Sequence, residues 1–398
     1  MRQVTLDERT SLGEETSKKL RSNLPPGGWF PALRDLSWYI TERNVVYIDL
    51  FLSPHLQKIS IRAAWSRNNP DIPPAILPTL VPIISALPTS SLERISVSTN
   101  HLTMPWARFK DPLSSVILRC GPSFTEYDSP VPLSNAALDH LIHLPHLRTW
   151  RIHGPPPTYP ASSLPLVFPP LRELTLGENA ACGWLPLLKR LEEGASTTQR
   201  MTPLSKAKEF LKVLKIEDVF GINIGASFVS AVQRFRNLVS LRVCVYCHDR
   251  DDRGKCIFEL NDDNVTELAM ALTQLESLVL GYPCSENTCL TTVTCLLPIS
   301  VHCSKLNRLS IHFNATNIAD DLRNILENPR FQQLRSLPRC PLAFLDVYRM
   351  PLGLHGSDLE IVVKGMIDIF PSLAHCEGLE EGWEEFSGMI GDLQGYSK

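Results

Sequence analysis

The residues with the most obvious chemical potential are Cys244-Val245-Tyr246-Cys247-His248, followed by Cys256. C-x-x-C-H is the spacing by which a c-type haem is attached, and C-x-x-C is half of a usual zinc site. Haem needs an apolar pocket and a second axial ligand, but the stretch that follows, Asp249-Arg250-Asp251-Asp252-Arg253, reads as a charged loop. A structural zinc site wants four ligands in tight pairs. No second pair follows Cys244, Cys247 and Cys256, and Cys284, Cys289, Cys295 and Cys303 are irregularly spaced. Metal binding through Cys244, Cys247 and Cys256 is therefore the lesser expectation, and buried free thiols the main one. His140, His143 and His146 sit three residues apart between leucines, which suits the solvated face of a helix better than a metal site. No phosphate-loop, dinucleotide, zinc-protease or nucleophile-elbow motif is present. The expectation is a protein with no catalytic residues and no cofactor.

The elements that must position any functional side chain are written in a repeated phrase. Leu171-Arg172-Glu173-Leu174-Thr175-Leu176 reads L-x-x-L-x-L, and the same frame opens at Leu33, Leu56, Leu92, Leu113, Leu147, Leu211, Leu238, Leu275, Leu306 and Leu342. The copies are 21 to 40 residues apart. Self-similarity at such intervals is the signature of a solenoid or array, and this frame is the core of the leucine-rich repeat. Within the frame the fourth and sixth positions are apolar and the fifth is mostly polar, the alternation of a strand with one buried face. Ser, Thr, Val, Ile and Trp inside the copies fit a pleated surface better than a helix. Each unit is too short to bury its own apolar face, so the units must stack and share a core. The fold expected is α/β: an irregular leucine-rich-repeat solenoid, a ribonuclease-inhibitor-like horseshoe with a parallel concave β-sheet and helix or loop returns.

In such an array the outward strand positions form the working surface. Those expected to meet a partner are Arg94, Thr149, Arg151, Glu173, Thr175, Lys215, Ser240, Arg242 and Arg308. Arg151, Lys215 and Arg242 would form a cationic stripe suited to an acidic or phosphorylated protein segment.

Composition sets outer bounds. Apolar residues make up 43% and charged residues 20% of 398, an ordinary globular balance with ample core. The formal net charge of −3 supplies no basic excess for phosphate backbones, so nucleic acid is not the expected partner. The longest apolar run, residues 75–88, is broken by Pro78 and Pro82 and is too short to span a bilayer. No secretory signal is apparent in the charged N-terminal stretch. Eleven cysteines then read as reduced thiols in cytosol or nucleus. The 32 prolines, about 8% against a usual ~5%, cluster between frames, as at Pro155-Pro156-Pro157, and mark the connections.

In chain order, residues 1–28 read as a polar segment with at most a weak helix, 29–354 as the repeat array, and 355–398 as a capping helix with an acidic tail. Asn261–Leu272 reads as a helix capped by Asn261 or Asp262, with Val265, Leu268, Ala269 and Leu272 inward. Ile318–Leu326 and Ser357–Phe370 read as further helices, the latter closing the open edge of the last repeat. Trp184–Leu191 and a polar loop at 195–202 follow the Leu171 frame.

The irregular repeats, three phrases and the Pro-rich connections together carry a resemblance; the phrases are Phe30-Pro31-Ala32-Leu33-Arg34-Asp35-Leu36-Ser37-Trp38, Leu141-Ile142-His143-Leu144-Pro145-His146-Leu147-Arg148-Thr149-Trp150-Arg151-Ile152 and Val167-Phe168-Pro169-Pro170-Leu171-Arg172-Glu173-Leu174-Thr175-Leu176. Over about residues 29–370 the chain resembles the leucine-rich-repeat part of fungal F-box proteins of the mushroom-forming type. The resemblance implies a substrate-recognition subunit of an SCF-type ubiquitin ligase, with a protein substrate held by the repeats and a Skp-type adaptor and cullin as further partners. The helical F-box that would precede the repeats is not visible in residues 1–28, so an adaptor-independent scaffold or decoy is the alternative.

Overall fold

The structure is a computed structural model. It describes residues 2–6, 14–23, 25, 29–41, 45–63, 76–99, 106–152, 171–177, 210–217, 224–244, 259–281, 290–334, 339–347, 356–378 and 382–394. Two compact units divide the chain at Leu174 and Thr175.

The first unit contains β1 (Gln3–Leu6), α1 (Glu14–Ser22), β2 (Asp35–Ile40), a 3₁₀ segment Val45–Phe51, β3 (Lys58–Ala63), α2 (Ile76–Ser85) and β4 (Arg94–Thr99). It continues with a 3₁₀ turn Trp106–Phe109, α3 (Lys110–Arg119), β5 (Glu126–Ser129), α4 (Asn135–Ile142), β6 (Thr149–Ile152) and the start of β7 (Glu173–Leu176). The second unit contains β8 (Val213–Ile216), α5 (Ala226–Val232), β9 (Ser240–Val243), α6 (Asp262–Ala271), β10 (Ser277–Leu280), a 3₁₀ turn Val293–Cys295, α7 (Leu296–His302) and β11 (Arg308–Ile311). After these come α8 (Ile318–Glu327), α9 (Pro329–Leu334), β12 (Phe344–Asp346), α10 (Ser357–Ile369), β13 (His375–Glu377) and α11 (Trp383–Gln394). Within each unit the strands lie side by side in sequence order and pair in parallel. This is a repeating α/β architecture with a sequential parallel sheet.

One local device recurs at the entry to the strands. The backbone carbonyl of the second frame residue accepts two N–H groups from the next strand. Arg34 O accepts from Gln57 and Lys58, Gln57 O from Glu93 and Arg94, and Glu93 O from Thr125 and Glu126. In the second unit Lys212, Val239, Glu276, Asn307 and Ala343 accept in the same way. The leucine opening the frame donates its own N–H three residues back, as Leu56 to Ser53, Leu238 to Phe235 and Leu275 to Leu272. Its side chain is inside: Leu33, Leu56, Leu92, Leu147, Leu238, Leu275, Leu306 and Leu342 are fully buried. Turn, register and burial are thus fixed together in each repeat.

Ten of the eleven frames enter strands as the alternation predicts. The exception is Leu113, which lies in α3. There Leu113, Val116 and Ile117 are buried while Leu118 is 45% exposed, which is helical spacing. Pro112 falls in the first turn of α3, where its missing N–H costs nothing.

Three strands lie outside the eleven frames. β5 follows Phe124, with Tyr127 and Ser129 in place of two leucines. Ser129 is buried, its hydroxyl accepts from Val131 N at 3.0 Å, and Tyr127 OH donates to Val131 O at 3.2 Å. β13 follows Leu373 with Cys376 inward. β1 lies within residues 1–28, the stretch expected to be polar and at most weakly helical, and pairs with β2 over Gln3–Leu6. Helix α6 is capped as expected: Asn261 accepts from Asn264 N at 2.9 Å, and Asn264 answers with a bond from Asn261 N. The carboxylate of Asp262 then accepts from Thr292 N and Thr292 Oγ1, each at 2.7 Å, tying α6 to the following 3₁₀ turn.

The expected closing helix, 357–370, is not the last element. α10 leads into β13, and α11 packs on that strand with Trp383, Phe386 and Ile390 buried. The acidic stretch 377–385 therefore contains a core residue, Trp383, whose ring stands edge-on to Phe386 with centroids 5.1 Å apart. Trp184–Leu191 and the 195–202 loop lie outside the described residues.

Two glycines near this corner give opposite expectations. A Cβ on Gly378 would lie 2.6 Å from the Trp383 ring, whereas a Cβ on Gly388, inside α11, meets nothing within 4 Å. Gly378→Ala should therefore destabilise the protein by about 1–3 kcal/mol. Gly388→Ala should stabilise it by up to about 1 kcal/mol, because alanine costs less backbone entropy in a helix. Denaturant midpoints of the two variants check both signs.

Candidate protein-binding face

Alternation along the strands sends one set of side chains into the core and leaves the other set half-buried or exposed. In the first unit the exposed face carries two rows. Asp35, Lys58, Arg94, Glu126 and Thr149 stand in register on β2 to β6, and Glu173 follows on β7. The second row, two residues further along, is Ser37, Ser60, Ser96, Asp128 and Arg151. Four of the residues expected at a partner surface, Arg94, Thr149, Arg151 and Glu173, meet here.

They meet as an ion network. Arg151 Nη2 lies 3.1 Å from Glu173 Oε1, and Arg151 Nη1 lies 3.4 Å from Asp128 Oδ2 and 3.7 Å from Glu126 Oε1. Arg94 Nη2 lies 2.6 Å from Glu126 Oε2. Ser96 Oγ donates to Asp128 Oδ2 at 3.4 Å. The carboxylate side chains are only 12–19% exposed, so these contacts are less screened than ordinary surface pairs. Burial disfavours the charge on Arg151, but the Glu173, Asp128 and Glu126 carboxylates outweigh it and push its pKa up.

This changes the expectation of a bare cationic stripe. Arg151 is held by three acids. Two of them, Glu126 and Asp128, come from β5, the strand whose aromatic and serine substitutions hid it among the leucine frames. In the second unit Arg242 Nε lies 3.3 Å from Glu217 Oε1 and also donates to Cys244 Sγ at 3.2 Å. Lys215 on β8 is half-buried in register with Arg242 on β9, and Ser240 is half-buried in register with Val213. Thr175 does not face solvent as expected: it is 2% exposed, and its hydroxyl has no hydrogen-bond partner among the described residues. Arg308 is exposed on β11 as expected, with its guanidinium 4.9 Å from the centre of the Phe344 ring. Phe344 and His375, on β12 and β13, were not foreseen; an aromatic at the polar third position of the Leu342 frame was the available signal.

The proposed metal ligands do not assemble among the described residues. No group of three or more His, Cys, Asp or Glu suited to a metal occurs there. Cys244 is buried at the end of β9, where Arg242 Nε donates to it, and Cys247, His248 and Cys256 lie outside the described residues. Of the histidines, His140 Nε2 contacts Cys120 O at the C-terminal end of α3 at 3.0 Å, and His143 Nδ1 contacts Asp139 O within α4 at 2.5 Å. An apolar void of about 20 Å³ in the first unit, between Ile40, Ile61, Val97, Phe109, Leu113 and Val131, has the size of a single water and no polar wall. Among the described residues no helix is long and apolar enough to cross a membrane.

Compared with known proteins, the sequence matches no family model and no curated relative.

Removing the central cation exposes the logic of the network. Arg151→Ala should destabilise the protein by about 1–3 kcal/mol, because three carboxylates then face one another with one partner fewer. Sodium chloride should narrow the gap to wild type by screening that repulsion. Denaturant unfolding of both proteins in low and high salt reads the two effects.

Proposed function

We propose that this chain is a protein-binding repeat module that works through the exposed face of its strands and performs no chemistry of its own. The observation that carries the reading is the row of polar and charged side chains held at equivalent positions on successive strands, from Asp35 on β2 to Glu173 on β7. A backbone ladder presents them at a fixed spacing of about 4.8 Å. Such an array suits an extended protein segment, which can address several strands at once. A net charge of −3 and the carboxylate-rich centre of the first unit's face disfavour nucleic acid.

The finer form of the proposal is a leucine-rich-repeat solenoid of horseshoe type, in which the resemblance to fungal F-box proteins makes the chain the substrate receptor of an SCF-type ligase in cytosol or nucleus. The second reading is an adaptor-independent scaffold.

Affinity purification of the full chain from its own cells, followed by mass spectrometry, should recover a protein partner reproducibly. A Lys58→Glu/Arg94→Glu variant, altered at two exposed positions of the face, should lose it. A Skp-type adaptor and cullin in the eluate would select the ligase reading. A partner recovered without them would select the scaffold. Partners retained undiminished by the face variant would contradict binding through this surface.

A further inference from the structure

Outward positions on β2, β3 and β4 form a grid of three rows in register: Asp35, Lys58 and Arg94, then Ser37, Ser60 and Ser96, then Tyr39, Arg62 and Ser98. The middle strand differs from the one after it. On β4, Arg94 reaches to Glu126 on β5 at 2.6 Å, and Ser96 donates to Asp128 at 3.4 Å. On β3, Lys58 and Arg62 are exposed and Ser60 is half-buried. None of these three side chains makes an ion pair or hydrogen bond among the described residues. Asp35 stands in register with Lys58 but forms no ion pair with it. The outward side of β3 is thus a line of three available donors: an ammonium, a hydroxyl and a guanidinium.

That line has a period. Lys58, Ser60 and Arg62 are alternate residues of one strand, so neighbouring members stand about 6.6 Å apart. An extended peptide with an acid at every second position carries its carboxylates along one side at the same spacing. Laid along β3, it brings one carboxylate to each donor, and such charge-assisted bonds are stronger than neutral ones. A nucleic-acid backbone is a poorer occupant, because phosphates reaching past β4 meet the Glu126, Asp128 and Glu173 carboxylates. An apolar segment gains nothing from either cation.

We propose that the outward side of β3 docks an acidic, extended segment of a partner protein, with carboxylates at alternate positions set on Lys58, Ser60 and Arg62. The proposal rests on the protein-binding reading above and gives it a partner chemistry and a spacing.

Fluorescence anisotropy on the full chain, at physiological salt, tests this with three labelled decapeptides: alternating Glu-Gly, five Glu followed by five Gly, and alternating Ser-Gly. The alternating Glu-Gly peptide should bind tightest. Adjacent acids point to both sides of an extended chain, so the block peptide should bind about twofold to fivefold more weakly at equal charge. Lys58→Gln and Arg62→Gln should each weaken alternating Glu-Gly binding by about the same factor. Asp35→Asn, which removes the acid beside Lys58, should strengthen it. Lys364→Gln, at an exposed cation on α10, should leave it unchanged. Lys58 and Arg62 are exposed, so their variants test the site without threatening the core. Equal binding of the alternating peptide by wild type, Lys58→Gln and Arg62→Gln overturns the proposal. A block or Ser-Gly peptide that binds as well as the alternating one also overturns it. If wild type binds none of the peptides yet retains its cellular partner, and a Lys58→Gln/Arg62→Gln variant retains it equally, this site falls while the protein-binding reading stands.

Discussion

Everything in this architecture depends on one carbonyl per repeat. In nine of the eleven frames the second residue offers a C=O that accepts two successive N–H groups of the next strand, as Arg34 does for Gln57 and Lys58 and as Glu276 does for Asn307 and Arg308. That single acceptor sets the register of a parallel pair, and register decides which side chains are inside. A slip of one residue would turn every leucine of a strand to solvent. The buried leucine that opens each frame makes such a slip costly, since full burial of one leucine is worth about 1.5–3 kcal/mol. Local hydrogen bonding and burial therefore point to the same arrangement, which lets the return segments vary in length and type without disturbing the sheet.

The functional surface follows from that register. Because outward residues are locked at equivalent heights on neighbouring strands, their charges interact whatever the sequence distance between them. Arg151 collects Glu126, Asp128 and Glu173 from both flanking strands, and Arg308, Phe344 and His375 stack although they come from three separate repeats. The face is not a uniform stripe of one sign. It is a set of local clusters, each with its own balance of cation, carboxylate and ring.

How much of this was legible in the sequence differs by element. Strands that keep leucine at the first position and alternate afterwards, such as β8 and β9, could be found from the frame alone. Helix α6 was equally readable, because its cap and its apolar stripe agree. β5 was hidden because aromatic and hydroxyl side chains replaced leucine, and only the structure shows that Ser129 is tolerated inside through its bond to Val131 N. Leu113 misled in the other direction: Leu113 and Val116 at i and i+3 satisfy a helix as well as a strand, and the apolar Ile117 does not decide between them, since apolar Val279 holds the same position in the Leu275 frame and that copy is β10. At the candidate site the residue types were readable but their pairing was not. Arg151 looked like an available cation because the strand carrying its acids had been missed. Thr175 looked exposed because alternation alone predicts facing, not what covers a face.

The central claim is that these frames form strands with one face in the core and the other at the surface. Its most direct test is an aspartate scan through β9, read as the denaturant midpoint of each variant. Leu241→Asp and Val243→Asp should each lose several kcal/mol, because a lone carboxylate is forced into a fully buried site. Ser240→Asp should stay within about 1 kcal/mol of wild type, and Arg242→Asp, which also sets a carboxylate beside Glu217, should still lose clearly less than either core variant, since both positions are partly exposed. Costs that alternate along the four positions are the result this architecture requires. Equal costs at all four, or a cost recurring every third or fourth residue across the frame, would contradict it.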